Sequence, residues 1–156
     1  MQRWLWLSLL VVVLDQVSKQ LIESSLMVYE TIPVLPFFNL TLAYNEGAAF
    51  SFLSDQGGWQ RWFFTLVAAL VVLILGVWLT RLRGERLLAI SLSLVIGGAL
   101  GNLLDRLLFG YVIDFLDFFY ATHHWPAFNV ADIAISLGVV LMFVDAFVGR
   151  KAERDD

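Results

Sequence analysis

The run LLAISLSLVIGGALGNLLDRLLFGYVID, residues 87–114, decides how this chain has to be read. From Leu87 to Phe109 it is almost wholly apolar, and crossing a hydrocarbon core of about 30 Å takes about 20 helical residues. Asn102, Asp105 and Arg106 interrupt it near one end, spaced i, i+3 and i+4, so they share one helix face. A charge at membrane depth costs about 2.5 to 3.5 kcal/mol on insertion scales, so that face needs polar partners. Gly97, Gly98 and Gly101, with a G-x-x-x-G spacing between the first and last, leave the backbone open to a close neighbour.

The rest of the chain fits the same solvent. Of its 156 residues, 60% are hydrophobic and only 15% charged, with a mean hydropathy of +0.78. A soluble domain of this size cannot hide so much apolar surface. Three more spans read at about Trp4–Ile22, Trp62–Leu79 and Val130–Val148. The expected architecture is an α-helical integral membrane protein with four transmembrane helices, one membrane domain over 1–150 and a tail over 151–156. The first span has the outline of a signal peptide, with Arg3 and the run Leu5–Leu14, but Asp15 and Lys19 stand where a cleavage site would lie. It reads as a retained helix. Arg3, Arg81, Arg83, Arg86, Arg150, Lys151 and Arg154 are seven of the ten basic residues, and all fall on one side of a four-span topology. The positive-inside rule makes that side, with both termini, cytoplasmic. No basic stripe suits nucleic acid, and the absence of cysteine removes thiolate chemistry and disulfides.

Between the first two spans, about 28–56, Phe38, Leu40, Leu42 and Tyr44 alternate with Asn39, Thr41, Ala43 and Asn45. Period-two alternation bounded by Pro and Gly predicts strands, hence a small extracytoplasmic β-sheet between helices 1 and 2, with Asn45-Glu46-Gly47 as a turn. Residues 110–128 read as a short external loop, Asp117 as a solvated carboxylate within it, and His123 and His124 as interfacial. Their adjacency is poor geometry for a shared metal. Trp59, Trp62 and Trp125 suit interfacial anchoring.

Asp15, Lys19, Asp105, Arg106, Asp114 and Asp132 all fall toward the outer ends of the spans, which predicts one polar site there. Asp15 and Lys19, at i and i+4, can pair. Asp114 and Asp132 lie 18 residues apart, each bracketed by apolar residues, at the two shoulders of the second external loop. Two desolvated carboxylates in contact share a proton, which is the condition for aspartic hydrolysis. Asp132 opens a helix, whose dipole favours its charge, so it suits the base and Asp114 the proton donor. The same inventory also suits a small proton- or cation-coupled transporter, a non-catalytic adaptor, or a hydrolase in which Lys19 activates Ser51.

Five blocks narrow these readings. DQVSK (15–19), NEGAAFS (45–51), GNLLDR (101–106), GYVIDF (110–115) and FNVADIAIS (128–136) occur in an order that resembles the bacterial lipoprotein signal peptidase, or signal peptidase II. The resemblance implies an intramembrane aspartic endopeptidase of the inner membrane with its site near the periplasmic face. It would cut prolipoproteins just before a diacylglyceryl-modified cysteine. By the same resemblance Asp114 and Asp132 match the catalytic pair, while Asn45, Asn102, Arg106 and Asn129 match positions that line the site and hold the substrate backbone. Asp15, Lys19 and Asp105 would support the cluster. The family needs no metal or organic cofactor, works among membrane lipid, and is the target of the cyclic peptide globomycin.

Overall fold

A computed structural model describes residues 2–47 and 59–152. Four helices, α1 (Gln2–Ser25), α2 (Trp59–Arg81), α3 (Arg86–Leu108) and α4 (Val130–Ala152), are each long and apolar enough to cross a membrane. The protein is a multi-pass membrane protein. α3 is the central helix: 61% of its most apolar window is buried, against 6% for α2, which packs on α3 alone among the helices and turns the rest of its surface outward.

The glycines explain how α3 sits so close to two neighbours. A Cβ at Gly97 would stand 2.8 Å from the Ser8 carbonyl of α1, and one at Gly98 would collide with the Ala131 carbonyl of α4. α4 returns the approach lower down, where a Cβ at Gly138 would lie 2.7 Å from the Ser91 carbonyl of α3. Without lipid-excluding hydrophobicity to drive association, such backbone proximity is what packs membrane helices. Leu79, Ala89, Leu92 and Ile96 form an apolar cluster between α2 and α3.

Beyond one end of the bundle lies a four-stranded antiparallel sheet in the order β1-β2-β3-β4. β1 (Thr31–Leu35) and β2 (Phe38–Asn45) come from the segment between α1 and α2, where strands are expected; the part of that segment at 48–56 lies outside the described residues. β3 (Val112–Tyr120) and β4 (His123–His124) come from the segment read as a short loop. That reading is corrected: Val112, Ile113, Asp114 and Phe115 are buried in succession. A strand covered on both faces loses the alternation by which strands are recognised. Pairing of β2 with β3 shifts by one residue between Leu40 and Ala43, so β2 carries a bulge and Ala43 comes opposite Asp114. Leu26, Leu42 and Ile113 join the sheet to the end of α1.

Two further expectations change. Asp117 is 7% exposed rather than solvated, and it accepts from Asn39 Nδ2 at 2.8 Å, while His124 Nδ1 stands 2.8 Å from its other oxygen. Asn39, on the polar side of the expected alternation, is buried for the same reason. The turn after β2 forms as expected, with Asn45 Oδ1 accepting from Gly47 N at 2.9 Å.

Gly98→Ala should destabilise the protein by about 1–3 kcal/mol, because the neighbour it meets is backbone and cannot rotate away. Gly76→Ala on α2, with nothing within 4 Å, should leave the unfolding temperature unchanged or raised. Thermal unfolding of both variants in detergent checks the pair.

Candidate active site

Where the bundle meets the sheet, a buried ionic cage fastens the elements together. Lys19 Nζ lies 2.8 Å from Asp15 Oδ2 and 2.8 Å from Asp105 Oδ2, and it donates to Asn102 Oδ1 at 3.0 Å. Three N–H groups meet three acceptors, so the ammonium is saturated. Asp15, Lys19 and Asp105 are at most 1% exposed. Both carboxylates also reach other elements: Asp15 Oδ1 accepts from Ala131 N at the start of α4 at 2.9 Å, and Asp105 Oδ2, the oxygen that pairs with Lys19, accepts as well from Ile113 N of β3 at 3.2 Å. Gln16, which the sequence reading passed over, donates to Asp105 Oδ1 at 2.8 Å. Its position between two charged residues on one helical turn was the available signal.

Above the cage, three asparagines hold two aspartates. Asn129 N-caps α4: its Oδ1 accepts from Asp132 N at 3.0 Å, and its own N donates to Asp132 Oδ2 at 3.2 Å, the reciprocal pattern of a capping box. Asn129 Nδ2 donates to Asp114 Oδ1 at 2.7 Å, so one residue touches both carboxylates. Asn102 Nδ2 donates to Asp132 Oδ1 at 2.8 Å, and Asn45 Nδ2 to Asp114 Oδ2 at 2.9 Å. The amide orientation of Asn102 is fixed by its oxygen, which accepts from both Lys19 and Asn129. Asp114, Asp132, Asn45, Asn102, Asn129, Asp15, Lys19 and Asp105 thus form one connected network from α1, β2, α3, β3 and α4.

Asp114 sits in β3, 4% exposed, and burial pushes its carboxyl up to about 7. Hydrogen bonds from Asn45 and Asn129 and the Lys19 charge oppose that shift, while the charge of Asp132 adds to it. Arg106, one residue beyond Asp105, donates from Nη1 to the Asn102 carbonyl at 3.3 Å and lies 5.5 Å from the Phe64 ring. Among the described residues its buried Nε has no hydrogen-bond partner. Asp114 also lines a cavity of about 640 Å³ bounded by Tyr44, Asn45, Arg61 and Tyr111. The sequence reading missed Arg61, which resembles any interfacial arginine until its partners are seen. Its Nε donates to the Arg106 carbonyl at 2.9 Å and its Nη2 to the Leu107 carbonyl at 3.1 Å.

The arrangement can do acid–base chemistry with a carboxylate pair in a site that is polar inside and apolar around. Ser51 lies outside the described residues, and a Lys19 ammonium held by two carboxylates and an amide is a poor base for activating it. Among the described residues, no three His, Cys, Asp or Glu side chains are placed to hold a metal ion.

Comparison with known proteins agrees with this picture. A family profile described as "Signal peptidase (SPase) II" matches residues 7–148. A protein named lipoprotein signal peptidase from Shewanella baltica (strain OS155) is 54% identical over 154 residues, covering 98% of this chain and 90% of its own. Its namesake from Alteromonas mediterranea is 51% identical over 146 residues, covering 93% and 80%. A bacterial membrane enzyme solved in meso at 2.3 Å superposes with a TM-score of 0.82 at 29% identity, covering 98% of this chain and 92% of that one. A second, at 1.9 Å, gives 0.79 at 30% identity, covering 92% of each chain. By sequence over nearly its whole length and by fold, this chain belongs to the signal peptidase II family and is a membrane peptidase.

Proposed function

We propose that this peptidase is an intramembrane aspartic endopeptidase that removes the signal peptide from diacylglyceryl-modified prolipoproteins, cutting on the N-terminal side of the lipidated cysteine. The observation that carries the reading is the joint hold of Asn129 on Asp114 and Asp132, which belong to different elements yet meet on one residue. Asp132 is the base: its carboxylate takes a proton from water, and the hydroxide oxygen adds to the scissile carbonyl carbon. Asp114, raised to about 7, starts protonated and hydrogen-bonds the carbonyl oxygen as negative charge develops there. Collapse of the tetrahedral adduct breaks the C–N bond as Asp114 gives its proton to the leaving amine nitrogen; the proton that Asp132 took from water then passes back to Asp114 and restores the starting pair.

Supporting roles follow from the contacts. Asn45, Asn102 and Asn129 orient the two carboxylates, and Arg106, with a buried donor to spare, suits a substrate carbonyl. Asp15, Lys19 and Asp105 fix the frame. The substrate's acyl chains lie among membrane lipid between the spans, where affinity is apolar, while the polar network supplies specificity. Arg81, Arg83 and Arg86 between α2 and α3 support, by the positive-inside rule, a cytoplasmic position for that end and for both termini, with the site at the periplasmic face of the inner membrane. Globomycin-type cyclic peptides would occupy the same site. The proposed chemistry uses water and two carboxylates alone.

In detergent, the purified protein should shorten a diacylated prolipoprotein and leave an unlipidated control intact. Asp114→Asn and Asp132→Asn should each lower turnover about a thousandfold or more while still unfolding in a cooperative thermal transition; cleavage by both variants would overturn the assignment. Because Asp114 must carry a proton, kcat/KM should fall as pH rises through about 7. Stability should show the same group. A carboxyl raised from 3.8 to about 7 binds its proton more tightly in the folded state, so folding loses stability as pH climbs through that window. Asp114→Asn, which mimics the protonated form, should therefore raise the unfolding temperature relative to the parent above pH 7 and lose that advantage near pH 3.8.

A further inference from the structure

The cavity beside Asp114 has a cationic wall that the hydrolytic step leaves unused. Arg61 enters it already fixed. Its Nε and Nη2 bonds engage carbonyls in the last turn of α3, where a helix leaves acceptors without internal donors and presents the negative end of its dipole. The guanidinium also lies 5.1 Å from the Trp62 ring. Gly110 makes room for it, with φ of 92° and a position where a Cβ would stand 3.1 Å from Nη1. Among the described residues Arg61 forms no ion pair, so its charge is not cancelled by a close carboxylate. Glu46, which also lines the cavity, is exposed and screened by water.

The place of the cavity says which part of a substrate it receives, given the peptidase reading above, on which this step rests. Tyr44, Tyr111 and Asp114 line it from the sheet side, outside the membrane spans, and Tyr44 stacks on Tyr111 at 4.1 Å between ring centroids. A signal peptide returns into the bilayer before the cleavage point, and the acyl chains stay in lipid. Only the segment after the cysteine leaves toward the sheet, and about 640 Å³ is room for a few side chains. We propose that Arg61 is a specificity-determining residue, favouring an acidic side chain within the two residues that follow the lipidated cysteine. A planar guanidinium held in advance binds a carboxylate with little further loss of rotamer freedom.

The test uses the full chain in detergent with matched diacylated prolipoproteins carrying Asp, Asn or Lys at each of those two positions. The parent should prefer Asp over Lys in kcat/KM by about tenfold at low salt, with the ratio shrinking as ionic strength rises. Arg61→Gln should bring the ratio near one, Arg61→Lys should keep its direction, and Arg61→Glu should invert it. A ratio that stays the same in all four proteins, or a parent ratio insensitive to salt, would overturn the proposal, as would a preference set by Glu46 that survives Arg61→Gln. Each ratio is taken within one protein, so a loss of overall activity or folded fraction cancels. Failure of the parent to cut even the Asn substrates would instead sink the peptidase reading itself.

Discussion

The structure depends on one ammonium held between two carboxylates at membrane depth. Lys19, Asp15 and Asp105 are almost completely buried, and an unpaired ion there would cost several kcal/mol even after relaxation. Within the cage that cost is offset by short contacts at 2.8 Å and by hydrogen bonds on the remaining lone pairs. The consequence is geometric. Each carboxylate has an oxygen that ends on a backbone N–H of an element bearing a candidate catalytic group: Ala131 beside Asp132, and Ile113 beside Asp114. The ammonium's third bond goes to Asn102, which holds Asp132 directly. Apolar packing alone brings helices together with latitude in rotation and depth; the cage removes that latitude for α1, α3, α4 and β3 at once.

On that frame the two aspartates stand in different surroundings. Asp132 belongs to the first turn of a helix, in a reciprocal cap with Asn129. Asp114 stands on a buried strand and, among the described residues, receives amide side chains. Unequal environments let a carboxylate pair divide its labour, one member ionised and the other protonated. Every amide in the network has its orientation fixed by a second contact, so the asymmetry is built in before any substrate arrives.

The sheet performs two tasks that the helices cannot. It supplies Asn45 and Asp114 from neighbouring strands, set by the bulge in β2 that brings Ala43 opposite Asp114. It also closes its far end with a polar cluster of Asn39, Asp117 and His124, which ties β2, β3 and β4 together. That hairpin leads into Phe128, whose backbone pairs with Leu116, and so directly to Asn129. A polar cluster at the far end of the sheet therefore helps to define where Asn129, and with it Asp114 and Asp132, stand.

Much of this was legible in the chain itself. Continuous apolar runs about 20 residues long have no folded solution other than membrane helices, and acids interrupting them at one end had to converge because each is costly alone. Hence the four spans and the convergence of Asp15, Lys19, Asn102, Asp105, Asp114 and Asp132 could be read in advance, whereas Asn45 and Asn129 rested on the family resemblance and Gln16 was missed. What only tertiary structure decided were contacts between segments far apart in sequence. Strand β3 hides its period because both faces are covered, Asp117 is buried by partners 78 and 7 residues away, and Arg61 meets its carbonyl partners only when α2 packs against the end of α3. Periodicity reports how a segment faces its solvent; it carries no information about which distant donor will meet a given acceptor.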